Sequence, residues 1–226
     1  KGDGDIDHTY WGSPELQPNR VDSKKGKNEL YWTEQGSDIA SEYAAALALN
    51  YLNFGKDLQQ SDAEYEKYQG YLNKAIELYD YAKSVNGVAS GKNHSSKGFS
   101  FYGSSGWGDD NKWAAVWLTL ATNDNKYVND YQNQYNSAGR IEWDHVDGAA
   151  ACAYAAYINE NSNAFDSLIS YANGLVYKSG NSGEVNDTYA SQYCWGGETR
   201  YNIGLQMVVL SVMKNLPNEN GENTAR

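Results

Sequence analysis

Apolar residues recur along this chain at three- and four-residue spacing, in long stretches, while strict alternation is scarce. That period predicts helices. Residues 37–56 open with Ser37-Asp38, a good N-cap pair, and continue through an Ala-rich run, Ala44-Ala45-Ala46-Leu47-Ala48. Residues 62–84 place Tyr65, Tyr68, Leu72, Ala75, Ile76, Tyr79 and Ala82 on one stripe. Residues 110–122 form a third helix rich in Trp, Ala and Leu, and 126–136 a Tyr-rich fourth. The fifth spans 145–159 and is again Ala-rich. The sixth, 162–175, carries Phe165, Leu168, Ile169 and Leu175 on one face. The seventh, 199–215, carries Ile203, Leu205, Met207, Val208, Leu210, Val212 and Met213.

Polar segments rich in Gly, Ser and Asn separate these helices, notably 85–108 and 178–194, and the tail 216–226 is polar. No repeat of fixed period is visible, which disfavours a regular solenoid. The pattern is all-α, with short connections on one side and long aromatic-bearing loops on the other. The length, 226 residues, suits one domain of moderate size or part of a larger one.

Charge narrows the partners. The chain has 18 Lys plus Arg against 29 Asp plus Glu, a net charge of −11. Such a chain repels nucleic-acid phosphates and anionic membranes, so neither is expected as a partner. Solubility accounts for most of these acids, and calcium is a suitable counter-ion for a cluster of them. The aromatic content is 20 Tyr and 7 Trp against 4 Phe. Tyr and Trp have polar handles and suit half-wet surfaces, a carbohydrate groove or the helix boundaries of a bundle. Cys152 and Cys194 make no disulfide framework, and spacing does not settle whether they pair. No signal peptide or membrane-spanning stretch is visible, but the chain begins inside a motif-like run, so this says little about compartment.

Four clusters carry candidate chemistry. Residues 3–15, Asp-Gly-Asp-Ile-Asp-His-Thr-Tyr-Trp-Gly-Ser-Pro-Glu, mix acids, His8, Tyr10 and Trp11. Flat rings stack on pyranose faces while acids and imidazoles hydrogen-bond hydroxyls; an exposed acidic loop is the plainer reading. Phe101 to Trp113 pass through a Ser/Gly turn into Asp109-Asp110. Those acids oppose a helix dipole, or, with oxygens of Ser105 and Gly106, form a calcium shell. Ile141-Glu142-Trp143-Asp144-His145-Val146-Asp147-Gly148 stands just before the Ala-rich run of the fifth helix: Asp144 is a cap or a further calcium ligand, His145 a loop histidine. Trp195, Glu198, Arg200 and Tyr201 converge at the start of the seventh helix, suiting sugar hydroxyls or a surface ion pair. Phosphate loops, dinucleotide fingerprints, His-Glu-x-x-His and a nucleophile elbow are all missing. Three scattered histidines, His8, His94 and His145, support no Ser-His-Asp triad.

In order, these clusters resemble glycoside hydrolase family 9, the cellulase family of mostly endo-β-1,4-glucanases. Asp7-His8-Thr9-Tyr10-Trp11-Gly12-Ser13-Pro14-Glu15 is similar to the family's Asp-His-x-x-Trp-Gly-x-Pro-Glu. Gly36-Ser37-Asp38-Ile39-Ala40-Ser41-Glu42 is similar to Gly-Ser-Asp-x-Ala-x-Glu, and Leu78-Tyr79-Asp80-Tyr81-Ala82 to Leu-Tyr-Asp-Phe-Ala. Residues 102–118 resemble Phe-Tyr…Ser-Gly-Tyr-x-Asp-Glu…Trp-Ala-Ala-x-Trp-Leu. Trp143-Asp144 and Trp195-Gly196 with Arg200-Tyr201 complete the series.

The resemblance implies an (α/α)6 barrel, with 1–226 as the central portion of one catalytic domain. It implies a secreted enzyme that hydrolyses β-1,4-glucosidic bonds in cellulose with inversion. It implies that His8, Trp11, Tyr102, Trp195, Arg200 and Tyr201 line glucosyl subsites, and that Ser105, Gly106, Asp109, Asp110 and Asp144 hold structural calcium. Asp110 stands where the family more often has Glu, and the Lys usual after Trp-Asp is absent. The family's base, in an Asp-Ala-Gly-Asp motif, lies upstream of this chain, and its acid Glu downstream. No catalytic carboxylate is therefore assigned within 1–226. The isolated piece is expected to be unstable and inactive without the remaining parts of the domain. Two other readings stay open: a non-catalytic β-glucan-binding module, and an (α/α) barrel hydrolase acting on another polysaccharide.

Overall fold

A computed structural model describes residues 10–13, 16, 36–89, 103–133, 144–158, 207 and 210. Five helices order them: α1 (Ser37–Phe54), α2 (Tyr65–Val85), α3 (Gly108–Thr122), α4 (Asn125–Asn133) and α5 (Asp147–Tyr157). No strand occurs among the described residues. The expected sixth helix lies outside them, and of the seventh only Met207 and Leu210 are described, both helical.

The boundaries have local causes. Ser37 does not cap α1; Gly36 occupies that position, and Ser37 is the first helical residue. Its hydroxyl instead donates 2.6 Å to Ala82 O and accepts 3.0 Å from Gly87 N. Likewise Val146, not Asp144, occupies the cap position of α5. The α1 helix ends before Gly55, where any Cβ would collide with Tyr68 Cβ of α2. The α2 and α3 helices end at Asn86 and Asn123, with φ of 54° and 56°. Asn tolerates this left-handed geometry, which lets its own N–H close the last turn.

The packing is alanine against alanine, filled out by tyrosine. The α1 helix lies against α2 and α3, and α3 against α4 and α5. Ala44, Ala45 and Ala48 of α1, Ala75 and Ala82 of α2, Ala114 and Ala115 of α3, and Ala150 and Ala151 of α5 are buried. Such small side chains bring helix axes to the short end of the usual 8–10 Å range. The remaining volume is taken by Tyr79, Tyr127, Tyr131 and Tyr154. Tyr79 meets Tyr127 edge-on at 5.2 Å, and Tyr131 stacks on Tyr154 at 4.1 Å. Two of their hydroxyls are tied down, Tyr79 donating 3.1 Å to Asp130 Oδ2 and Tyr154 accepting 3.0 Å from Gln132 Nε2. Burial and Asp130 push the Tyr79 hydroxyl pKa well above its usual value.

No helix among the described residues is long and apolar enough to cross a membrane.

Candidate functional site

The odd-numbered helices start at one rim, and their first turns are acidic: Asp38 in α1, Asp109 and Asp110 in α3, Asp147 in α5. A helix N-terminus favours carboxylates because its free N–H groups carry partial positive charge. All four are buried here, together with Ser37, Ser41, Asn111 and Lys112. Polar bonds knit the layer. Asp38 Oδ1 accepts 3.0 Å from Ala89 N, and Asn111 Nδ2 donates 3.4 Å to Ser41 Oγ.

The loop entering α3 meets the loop entering α5 at this rim. Ser105 N donates 3.3 Å to Asp144 Oδ2, and Val146 N donates 3.0 Å to Asp109 Oδ2. Ser104 Oγ closes the turn by donating 2.6 Å to Gly106 O. A cavity of about 600 Å³ opens beside the junction. Trp107, Asp109, Asn111, His145 and Asp147 line one side, and Lys83 and Asp130, paired at 2.6 Å, the other.

Asp110 is the electrostatic extreme. Burial, reinforced by Asp109, Glu42 and Asp38, pushes its carboxyl up to about 9. One of its oxygens, Oδ2, is buried with no hydrogen-bond partner. Glu42, although open to solvent, is also raised by desolvation, opposed by its bond to Asp110. Lys112 is lowered by burial, an effect opposed by Asp147 and Asp109. Carboxylates thus outnumber cations in this layer.

Of the residues singled out for metal, all five are described. Ser105, Gly106, Asp109 and Asp144 gather at the loop junction, and Asp110 lies beside Asp109 and against Glu42 of α1. Of those singled out for sugar, Trp11 is described and its ring is fully exposed. His8, Tyr102, Trp195, Arg200 and Tyr201 lie outside the described residues. Asp147, part of the third sequence cluster, was given no role there, and the Lys83–Asp130 pair was not singled out from the sequence. The signal for Asp147 is its place just before Gly148-Ala149, where a helix must begin; Lys83 and Asp130 give no local signal.

A helical toroid segment with an acidic loop junction at one rim is the class of protein this arrangement defines. Residues 1–226 match Glycosyl hydrolase family 9 throughout, and the chain belongs to that family. Its helices form part of an (α/α)6 barrel. Endoglucanase 14 of Arabidopsis thaliana is 34% identical over 147 residues, 63% of this chain and 27% of that protein. Endoglucanase A of Bacillus pumilus is 29% identical over 168 residues, 71% of this chain and 24% of that protein. The crystal structure of the cellulase Cel9M of C. cellulolyticum superposes with a TM-score of 0.70 at 31% identity, covering 96% of this chain and 48% of that one. The endoglucanase of the termite Nasutitermes takasagoensis gives 0.66 at 28% identity, covering 95% and 47%. The chain thus spans about a quarter of the curated relatives it matches and about half of the solved structures.

Proposed function

We propose that this chain is the central part of the catalytic domain of a secreted endo-β-1,4-glucanase, acting on cellulose and cello-oligosaccharides together with the rest of that domain. One observation carries the reading: likeness to the cellulase Cel9M over 96% of the chain, at 31% identity and a TM-score of 0.70. The same enzyme was also solved with cellobiose.

In this reading His8, Trp11, Tyr102, Trp195, Arg200 and Tyr201 grip successive glucosyl units. An exposed indole offers its face to the axial C–H groups of a glucose ring, while Arg, His and Tyr bond equatorial hydroxyls. Inverting hydrolysis needs one carboxylate to activate water and a second carboxyl group, on the opposite side of the bond, to protonate the leaving oxygen. Neither role is given to a residue of 1–226. The acidic surface keeps nucleic acid and anionic membrane away from the cleft.

Ser105, Gly106, Asp109, Asp110 and Asp144 are the residues that would hold calcium. The orphaned, buried Oδ2 of Asp110, in a layer with excess carboxylate, fits a hard divalent cation that seeks oxygen. Bound there, calcium would neutralise that excess and clamp the α3 loop to the α5 loop.

The test uses the intact native protein on carboxymethyl cellulose and cello-oligosaccharides. New reducing ends, appearing first as the α-anomer by proton NMR, support the reading. Binding without cleavage makes it a glucan-binding module, and cleavage of other polysaccharides alone makes it a different hydrolase. Chelation should lower the melting temperature and added calcium restore it.

A further inference from the structure

The imidazole of His145 stands among three carboxylates. Its Nδ1 lies 3.7 Å from Asp109 Oδ2 and 3.9 Å from Asp147 Oδ2, and its Nε2 lies 3.7 Å from Asp144 Oδ2. None of these is a hydrogen bond. The contact to Ser105 is one: Nε2 and Ser105 Oγ are 3.2 Å apart. With Nε2 carrying the proton and donating to Ser105, the Nδ1 lone pair faces two carboxylate oxygens. In that tautomer the three atoms present donor lone pairs to one region, as metal ligands do.

We propose that Asp109, His145 and Asp147 form a binding site for a first-row divalent transition ion of the zinc type. The three donor atoms lie within 4.8 Å of one another. One imidazole nitrogen with two carboxylate oxygens is a donor set for borderline ions. Calcium prefers a larger shell made of oxygen alone. Zinc sits about 2.0–2.1 Å from such donors, so a tetrahedral site needs them about 3.3 Å apart. The imidazole stands 3.7 and 3.9 Å from the two carboxylate oxygens, near that spacing.

The surrounding bonds orient the donors as a metal site requires. Ser105 holds the far nitrogen of His145, and Val146 N steadies Asp109 Oδ2 at 3.0 Å. The cavity of about 600 Å³ borders all three residues and gives an ion a path to them. Lys112 is the nearby resident cation, and both Asp109 and Asp147 act on it. One ammonium against two carboxylates leaves negative charge for the ion. The site is independent of the glucan reading. His145 and Asp147 are outside the set assigned to calcium, whereas Asp109 belongs to both.

The experiment titrates the chelator-stripped intact protein with Co2+, followed by visible absorption, and then with Zn2+ as competitor. One equivalent of Co2+ should bind with d–d bands that zinc abolishes. Even loss of a ligand's hydrogen-bonding partner costs about 10–100-fold in affinity, so His145→Ala and Asp147→Asn should each weaken zinc by at least about tenfold. Both should keep calcium affinity, while Asp109→Asn loses both ions. In His145→Gly, added imidazole should restore the cobalt bands, a readout that a merely structural histidine would not give. Unchanged cobalt spectra in His145→Ala, no zinc binding by the wild type, or an equal loss of calcium and zinc in His145→Ala would each overturn the proposal.

Discussion

The hydroxyl of Ser37, in the first turn of α1, donates a 2.6 Å hydrogen bond to the carbonyl oxygen of Ala82, in the last turn of α2. Ser37 Oγ in turn accepts from Gly87 N at 3.0 Å, and Ser37 N donates to Gly87 O. One buried side chain thereby satisfies a helix C-terminal carbonyl and the backbone that follows it. Removing it leaves Gly87 N without its acceptor and Ala82 O with only the long 3.4 Å bond from Asn86 N, at about 1–3 kcal/mol. Ser37→Ala should lower the unfolding free energy by that amount, read as a lower urea midpoint with an unchanged denaturant slope. Ser37→Thr, which keeps the hydroxyl, should recover part of the loss. A midpoint unchanged in Ser37→Ala would mean the junction is not held this way.

The close helix contacts make a second prediction. Ala115 is completely buried in α3, whereas Ala46 lies on the exposed face of α1. Leu has nearly the helix propensity of Ala, so propensity does not separate the two sites. Ala115→Leu should cost about 1–3 kcal/mol by overpacking, and Ala46→Leu should stay within about 0.5 kcal/mol. Thermal melts of the two variants check this. Equal melting temperatures would show that the packing around Ala115 is loose.

The helices were legible because Ala-rich runs and Tyr at helical spacing carry their own periodicity. Tyr68, Ala75, Tyr79 and Ala82 of the predicted stripe are all buried. What local pattern could not show is the polar interior. Asp38 read as part of an N-cap pair and Asp109 and Asp110 as helix-start acids or calcium ligands, and acids at helix starts are usually wet; Asp147 was given no role. These four are buried because three helix N-termini meet at one rim, a relation between segments far apart in sequence. For the same reason Ser37 read as a cap, although its partner is Ala82, 45 residues on. Asp144 read as a cap or a ligand, and the structure pairs it with Ser105 N.

Asp110 makes the metal-free protein sensitive to pH. Its carboxyl is raised to about 9 in the fold, against about 3.9 in an unfolded chain. Between those values the folded state holds the extra proton, so stability falls as pH rises. The contribution is fully present below about pH 4 and is lost as pH climbs through about 9. Its slope is at most about 1.4 kcal/mol per pH unit. Denaturation of chelated protein across pH 5–9 should show that decline, and Asp110→Asn should flatten it. A flat wild-type profile would mean Asp110 ionises freely in the fold.

Trp11 separates binding from folding. Its ring is fully exposed, so Trp11→Ala should change stability by no more than about 0.5 kcal/mol. If the indole stacks on a glucosyl ring, the loss falls on the substrate. Aromatic stacking contributes about 0.5–1.5 kcal/mol beyond the area buried, which corresponds to roughly a threefold to tenfold weaker complex. Trp11 has no group able to move a proton, so the loss should appear in KM for cello-oligosaccharides, with kcat nearly intact. Trp11→Phe keeps a flat face and should lie between the two. The measurement is steady-state kinetics on the intact protein across a series of chain lengths. A penalty that appears only once the substrate is long enough to reach Trp11 would assign it to one subsite. A drop in kcat at constant KM would instead tie the ring to the reacting centre and remove it from the binding surface.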